Sequence, residues 1–191
     1  QSISSCIESK RSPSEFHLMT VSDAIIEYLE EQDVEHIFTV SGGGSIFLCD
    51  ALARAKKMKY VCCHHEQACG YAAEAYARLK GLGVCLVTSG PGGTNAVSAC
   101  AAAWLDHIPV LFLSGQAFLR QTITDHPGLR QLGVQEINII DIVKDITKFA
   151  TMVTVPEMVL VQLRLAISEA KSGRPGPVWI DIPGNVQNAR L

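Results

Sequence analysis

Apolar residues along this chain switch repeatedly between two periods. Val21, Ala24, Ile25, Tyr28 and Leu29 recur at helical spacing behind Thr20 and Asp23, which form a capping-box-like pair. His36 to Val40 is a short strand ending in Ser41-Gly42-Gly43-Gly44, and a helix follows to about Ala55. Lys59 to Cys63 is a second strand, followed by an alanine-rich helix to about Lys80 and a turn bracketed by Gly81 and Gly83. Val84 to Thr88 is a third strand, Pro91 to about Leu105 a helix, and Pro109 to Ser114 a fourth strand. From Gln116 to Glu136 the period is lost, and loops of that length in compact domains are often functional. Ile137 to Val143 predicts a short helix, Lys148 to Val153 a fifth strand and Pro156 to Lys171 a helix. A Gly/Pro-rich turn, 173–177, leads into the last strand, Pro177 to Ile182.

This alternation predicts an α/β fold: a doubly wound, mostly parallel six-stranded sheet with helices on both faces. Residues 19–187 are expected to form one domain. Residues 1–18 are expected to be a leader, a tag or disordered, and 188–191 the start of a linker.

Composition narrows the function classes. A 191-residue chain with 48% hydrophobic residues buries a sizeable core without staples. Its net charge of −3 carries no footprint for nucleic acid or a membrane surface. The longest apolar stretch, 96–113, is broken by Asp106, His107 and Pro109, which argues against a membrane span. Seven cysteines, an odd number set mostly in apolar runs, read as buried thiols in a reducing compartment. With no hydrophobic leader segment, the expected location is cytoplasmic. Cys62, Cys63, His64, His65, Glu66 and Cys69 crowd together in sequence, but residues on a strand alternate faces and cannot all meet one ion, so no metal site is expected in this chain.

Three segments fall at the carboxyl ends of strands: Val40 to Gly43, His64 to Glu66 and Ser89 to Asn95. In a doubly wound sheet those ends share one edge, where ligands bind. Each segment has two readings. Glu66 is either a first-turn glutamate complementing a helix dipole or a catalytic carboxylate. Ser41-Gly42-Gly43-Gly44 is a flexible turn or a cradle; it lacks the full dinucleotide fingerprint, the acidic ribose residue and the lysine of a P-loop. In Ser89-Gly90-Pro91-Gly92-Gly93-Thr94-Asn95, Pro91 suits the first turn of a helix, and the glycines let the backbone approach a flat ring. Gln116, after Ser114-Gly115, is either a solvated loop amide or a substrate contact.

The His64-His65-Glu66-Gln67-Ala68 segment and the Ser89 to Asn95 turn together resemble the pyrimidine-binding domain of thiamine diphosphate enzymes, most closely the acetolactate synthase group. The resemblance spans roughly Met19 to Gln187 and includes the closing stretch 173–183. It implies that Glu66 hydrogen-bonds the cofactor's aminopyrimidine nitrogen and drives the tautomer that deprotonates the thiazolium. Aspartate would reach one carbon less far, and glutamine could not share the proton. The resemblance further implies cofactor contacts at Val40, Ser41, Gly42, Gly43, Pro91, Gly92 and Asn95, and a substrate contact at Gln116. Gln135, Glu136 and Lys148 match positions expected at an interface or a substrate channel.

Where the family has Tyr-Pro-Gly-Gly, this chain has Val40-Ser41-Gly42-Gly43. The family's Gly-Asp-Gly segment and downstream asparagine pair, which hold Mg²⁺ and the diphosphate, do not occur in the sequence. The resemblance therefore implies one domain of a larger enzyme, inactive alone. Mg²⁺ would be bound by another domain, and FAD is possible in the full-length protein. The substrate would be a 2-keto acid such as pyruvate, and the assembly a homodimer or homotetramer. The competing expectations are a plain 2-keto acid decarboxylase, single-chain or with separate α and β subunits, and a non-catalytic assembly module.

Overall fold

The computed structural model describes residues 19–126 and 128–191; the expectation for 1–18 lies outside the described residues. Six strands form one sheet: β1 (His36–Thr39), β2 (Lys59–Cys62), β3 (Gly83–Val87), β4 (Val110–Gln116), β5 (Phe149–Met152) and β6 (Val178–Pro183). Their order is β2-β1-β3-β4-β6-β5, and every pairing is parallel. The sheet is thus wholly parallel. The helices are α1 (Val21–Glu31), α2 (Ile46–Ala53), α3 (Glu66–Lys80), α4 (Pro91–Leu105), α5 (Ile139–Val143), α6 (Val159–Lys171) and the short α7 (Gly184–Gln187).

Period-2 alternation in the central strands builds a core on each face. Val84 and Leu86 of β3, Leu111 and Leu113 of β4, and Val178, Ile180 and Ile182 of β6 pack on one side with α1, α2, α6 and α7. Cys85, Val87, Val110, Phe112 and Trp179 pack on the other with α3, α4 and α5. Phe112 and Trp179, neighbours across β4 and β6, stack with centroids 4.9 Å apart. Burial pushes the Cys69 thiol up to about 12 and raises Cys85 and Cys100 as well, so these three behave as small uncharged core residues.

Local signals set the element ends. Thr20 and Asp23 form the capping box of α1. Gly81, at φ 83°, closes α3 in the left-handed conformation. Residues 188–191, expected as a linker, run back along the start of α1: Val21 donates to the Ala189 carbonyl at 2.9 Å and Leu191 to that of Met19 at 2.8 Å. Among the described residues no helix is long and apolar enough to cross a membrane.

From β1 the chain moves outward to β2, then returns past β1 to β3. This reversal opens a crevice between the carboxyl ends of β1 and β3, the usual place for a ligand in such sheets.

Candidate active site

The loop after β1 lies across the ends of β3 and β4 because glycines permit it. A Cβ on Gly42 would fall 2.6 Å from Thr88, just past β3, and one on Gly44 would fall 2.6 Å from Ser89. A Cβ on Gly115, near the end of β4, would sit 2.0 Å from the Gly44 carbonyl oxygen. The Gly44 N–H donates to Thr88 Oγ1 at 2.9 Å, which ties the loop to β3. Thr88 is therefore the hub of the crevice. In sequence it reads only as the end of a strand, next to the 89–95 turn.

His65 caps α3 by accepting the Gln67 N–H on Nδ1 at 3.1 Å, which makes Glu66 the first helical residue. Gly90, at φ 57°, starts α4 with Pro91 in its first turn. Asn95, one turn into α4, donates Nδ2–H to Glu66 Oε2 at 2.9 Å. A Cβ on Gly92 would meet Thr88 at 2.6 Å and Glu66 Oε1 at 3.5 Å, so its absence leaves space beside that oxygen. Among the described residues Glu66 has no cationic partner. Its half-buried carboxylate has one oxygen engaged by a neutral amide and the other beside bare backbone. Such a group can take a hydrogen bond or a proton from a heterocyclic N–H.

The structure thus sets Gly42 and Gly92 against Thr88, and Gly92 and Asn95 against Glu66. Val40 is half-buried against the α3/α4 core; Ser41, Gly43 and Pro91 are exposed at the rim. Gln116 is neither on a loop nor solvated. It is the last residue of β4, 3% exposed, with Nε2 donating to the Ile137 carbonyl at 2.8 Å and to Asp181 Oδ2 at 2.9 Å. It lines a cavity of about 280 Å³ shared with Gly43, Gly44, Phe47, Phe118 and Val134.

The long loop is ordered by Glu136, whose carboxylate accepts the backbone N–H groups of Ile123, Leu132 (2.8 Å) and Gly133 (3.2 Å). A glutamate closing its own loop leaves little mark in sequence. Gln135, at φ 56°, brings its carbonyl against Gly90, where a Cβ would lie 2.3 Å from it. Lys148 lies away from this edge. Its ammonium caps the end of α6 through the carbonyls of Glu169 and Ser172 (2.6 Å to the latter). Among the described residues no group of three or more His, Cys, Asp or Glu side chains is arranged to hold a metal ion.

Comparison with known proteins gives the family. The family model for the N-terminal TPP binding domain of thiamine pyrophosphate enzymes matches residues 19–142. Acetolactate synthase 2, chloroplastic, of Nicotiana tabacum is 41% identical over 167 residues, covering 87% of this chain and 24% of that protein. The acetolactate synthase large subunit of Corynebacterium glutamicum is 40% identical over 174 residues, covering 91% and 27% respectively. The acetolactate synthase of Arthrospira platensis is 40% identical over 177 residues, covering 91% and 29%. The chain spans about a quarter of the length of these curated relatives. With a carboxylate at the start of α3, a glycine-rich turn facing it and a match across most of its length, the chain belongs to the thiamine pyrophosphate enzyme family as an N-terminal TPP-binding domain of the acetolactate synthase-like type.

Proposed function

We propose that this domain holds the aminopyrimidine end of thiamine diphosphate in a full-length enzyme that decarboxylates a 2-keto acid such as pyruvate and joins the two-carbon unit to a second carbonyl. The observation that carries this reading is the setting of Glu66: Oε2 fixed by Asn95, Oε1 open beside Gly92. The residues fit such a ring. Gly42 and Gly92 expose backbone where a side chain would intrude, and the one free carboxylate oxygen matches a ring nitrogen that shares a proton.

When bound, thiamine diphosphate supplies the electron sink for the bond broken in decarboxylation. Glu66 holds and returns a proton at the pyrimidine nitrogen. Asn95 fixes the rotamer of that carboxylate. Val40, Ser41, Gly42, Gly43, Pro91 and Gly92 form the wall of the pocket, and Gln116 meets the substrate. In this reading Mg²⁺ and the diphosphate are held by a part of the full-length protein outside this chain, and FAD belongs there too where it is used. A homodimer or homotetramer closes the site over the carboxyl edge. Exposed apolar side chains at Ile46, Phe118 and Val134 support a partner there. The proposed cytoplasmic location rests on the free cysteines of the described residues, of which Cys69, Cys85 and Cys100 are buried and Cys62 is exposed.

Product analysis of the full-length protein with pyruvate, thiamine diphosphate and Mg²⁺ tests the proposal. A carboligation product such as acetolactate is expected. Acetaldehyde alone would reassign the enzyme as a decarboxylase, and no pyruvate consumption would leave an assembly module.

A further inference from the structure

Asp181 lies on β6, 1% exposed, with no cation paired to it among the described residues. The proton order around it follows from its partners. Trp179 Nε1, which can only donate, gives its hydrogen to Ser114 Oγ at 2.8 Å. Ser114 then passes its own hydrogen to Asp181 Oδ1 at 2.6 Å. From the other side Gln116 Nε2 donates to Asp181 Oδ2 at 2.9 Å and to the Ile137 carbonyl at 2.8 Å. The Gln116 Oε1 accepts the Ala117 N–H at 3.0 Å. The Ser114 hydroxyl hydrogen and one Gln116 amide hydrogen thus end on the carboxylate.

This arrangement fixes the amide orientation of Gln116. Turning the amide over would set its oxygen against Asp181 Oδ2 and the Ile137 carbonyl, and its nitrogen against the Ala117 N–H. Both amide hydrogens are spent, and only the remaining lone pair of Oε1 is left to offer a ligand.

We propose that Asp181 is a positioning residue for the reaction: by holding the Gln116 nitrogen it makes Gln116 an acceptor-only contact at the substrate cavity. This rests on the reading of the carboxyl edge as the active site. A keto oxygen has no hydrogen to give to Oε1, whereas a hydroxyl has one. Gln116 therefore gives no hydrogen bond to the keto oxygen of the incoming 2-keto acid and accepts one from the hydroxyl present once that carbonyl carbon has been attacked and its oxygen protonated.

The surroundings leave Asp181 responsible for its own charge. It shares a second cavity, of about 450 Å³, with the carboxylates of Glu136 and Asp141, and no lysine or arginine lines it. Glu136 is occupied by its three loop N–H groups, and Asp141 by Lys144 and Asn138. From β5 the uncharged Ala150, Thr151 and Met152 line this cavity. A proton on Oδ2 would confront the Gln116 N–H, and one on Oδ1 would displace the Ser114 hydrogen. Either disturbs the amide. Burial pushes the carboxyl up to about 7, against the pull of the Ser114 and Gln116 hydrogen bonds, so this disturbance lies within the working range of pH.

The test has two parts. In the 191-residue chain, carbon NMR of the Asp181 carboxyl and nitrogen NMR of the Gln116 amide are followed against pH. In the full-length protein, steady-state kinetics with pyruvate are compared for wild type, Asp181→Asn and Ser114→Ala. The proposal expects the Gln116 amide signals to move with the Asp181 titration. It expects Asp181→Asn to lose about tenfold or more in kcat/KM, together with the acidic limb of the pH profile, at unchanged thiamine diphosphate affinity. Ser114→Ala, which keeps the carboxylate, should move that limb to higher pH because one hydrogen bond to the charged form is gone. Gln116 signals that ignore the titration, or variants that lower only the melting temperature and keep the wild-type kinetics and pH profile, would overturn it. Wild-type protein that neither binds thiamine diphosphate nor consumes pyruvate would overturn the active-site reading along with it.

Discussion

Asn95 donates its side-chain amide to Glu66 across 29 residues of sequence, joining the first turn of α3 to α4 at 2.9 Å. The bond sets which oxygen of the carboxylate stays open. It predicts unequal effects at the two positions. Glu66→Gln keeps the shape but cannot share a proton; turnover by the full-length enzyme should fall by about 10²–10⁴-fold with the melting temperature little changed. Asn95→Ala should cost only about tenfold, the worth of one hydrogen bond to a charged group. Rates measured at saturating cofactor separate the two, and equal losses would mean that Asn95 does more than orient Glu66.

Gly115 carries a packing prediction. A Cβ there would press into the Gly44 carbonyl oxygen at 2.0 Å, against backbone rather than a movable side chain. Gly115→Ala should destabilise the domain by about 1–3 kcal/mol and push the loop after β1 out of place. Denaturant unfolding reads the first effect and cofactor titration of the full-length protein the second. An unchanged midpoint would show that the loop is looser than its packing indicates.

Asp181 predicts a pH dependence of stability. Its carboxyl is raised from 3.8 to about 7 by burial. Between those values the folded state keeps a proton that the unfolded state has released, so stability falls as pH rises from about 4 to about 7 and levels off above. A shift of about three units corresponds to roughly 4 kcal/mol across that window. Urea unfolding at pH 4.5 and 7.5 should show the decline in wild type and a flatter profile in Asp181→Asn. A stability that rises over the same window in wild type and not in the variant would reverse the sign assigned here.

Glu136 holds three backbone N–H groups of one loop with a single carboxylate. Glu136→Ala should raise amide hydrogen exchange across 119–138 while the strands keep their protection. Uniform exchange in wild type and variant would remove Glu136 as the organiser of that loop.

Much of this architecture was legible in sequence because local signals agree with the fold. The capping box at Thr20, the left-handed Gly81 and the alternation in β3, β4 and β6 each match the element they predict. Glu66 and the 89–95 turn were legible as a pair because both sit just past strands. What sequence could not supply was contact across the sheet. Thr88 matters through glycines on two other segments. Lys148 caps α6, and a lysine's partners at two carbonyls leave no pattern in sequence. For Gln116 a solvated loop amide was one of two open readings, and that one fails because β4 continues through Gly115 and Gln116 to pair with β6.

The central claim is that Glu66 exchanges a proton with the pyrimidine ring of thiamine diphosphate. The most direct measurement is the rate at which the thiazolium C2 hydrogen of bound thiamine diphosphate exchanges with deuterium in the full-length protein, wild type against Glu66→Gln. The account predicts fast exchange in wild type and a loss of at least about 100-fold in the variant with the cofactor still bound. Equal exchange rates in the two proteins would contradict it.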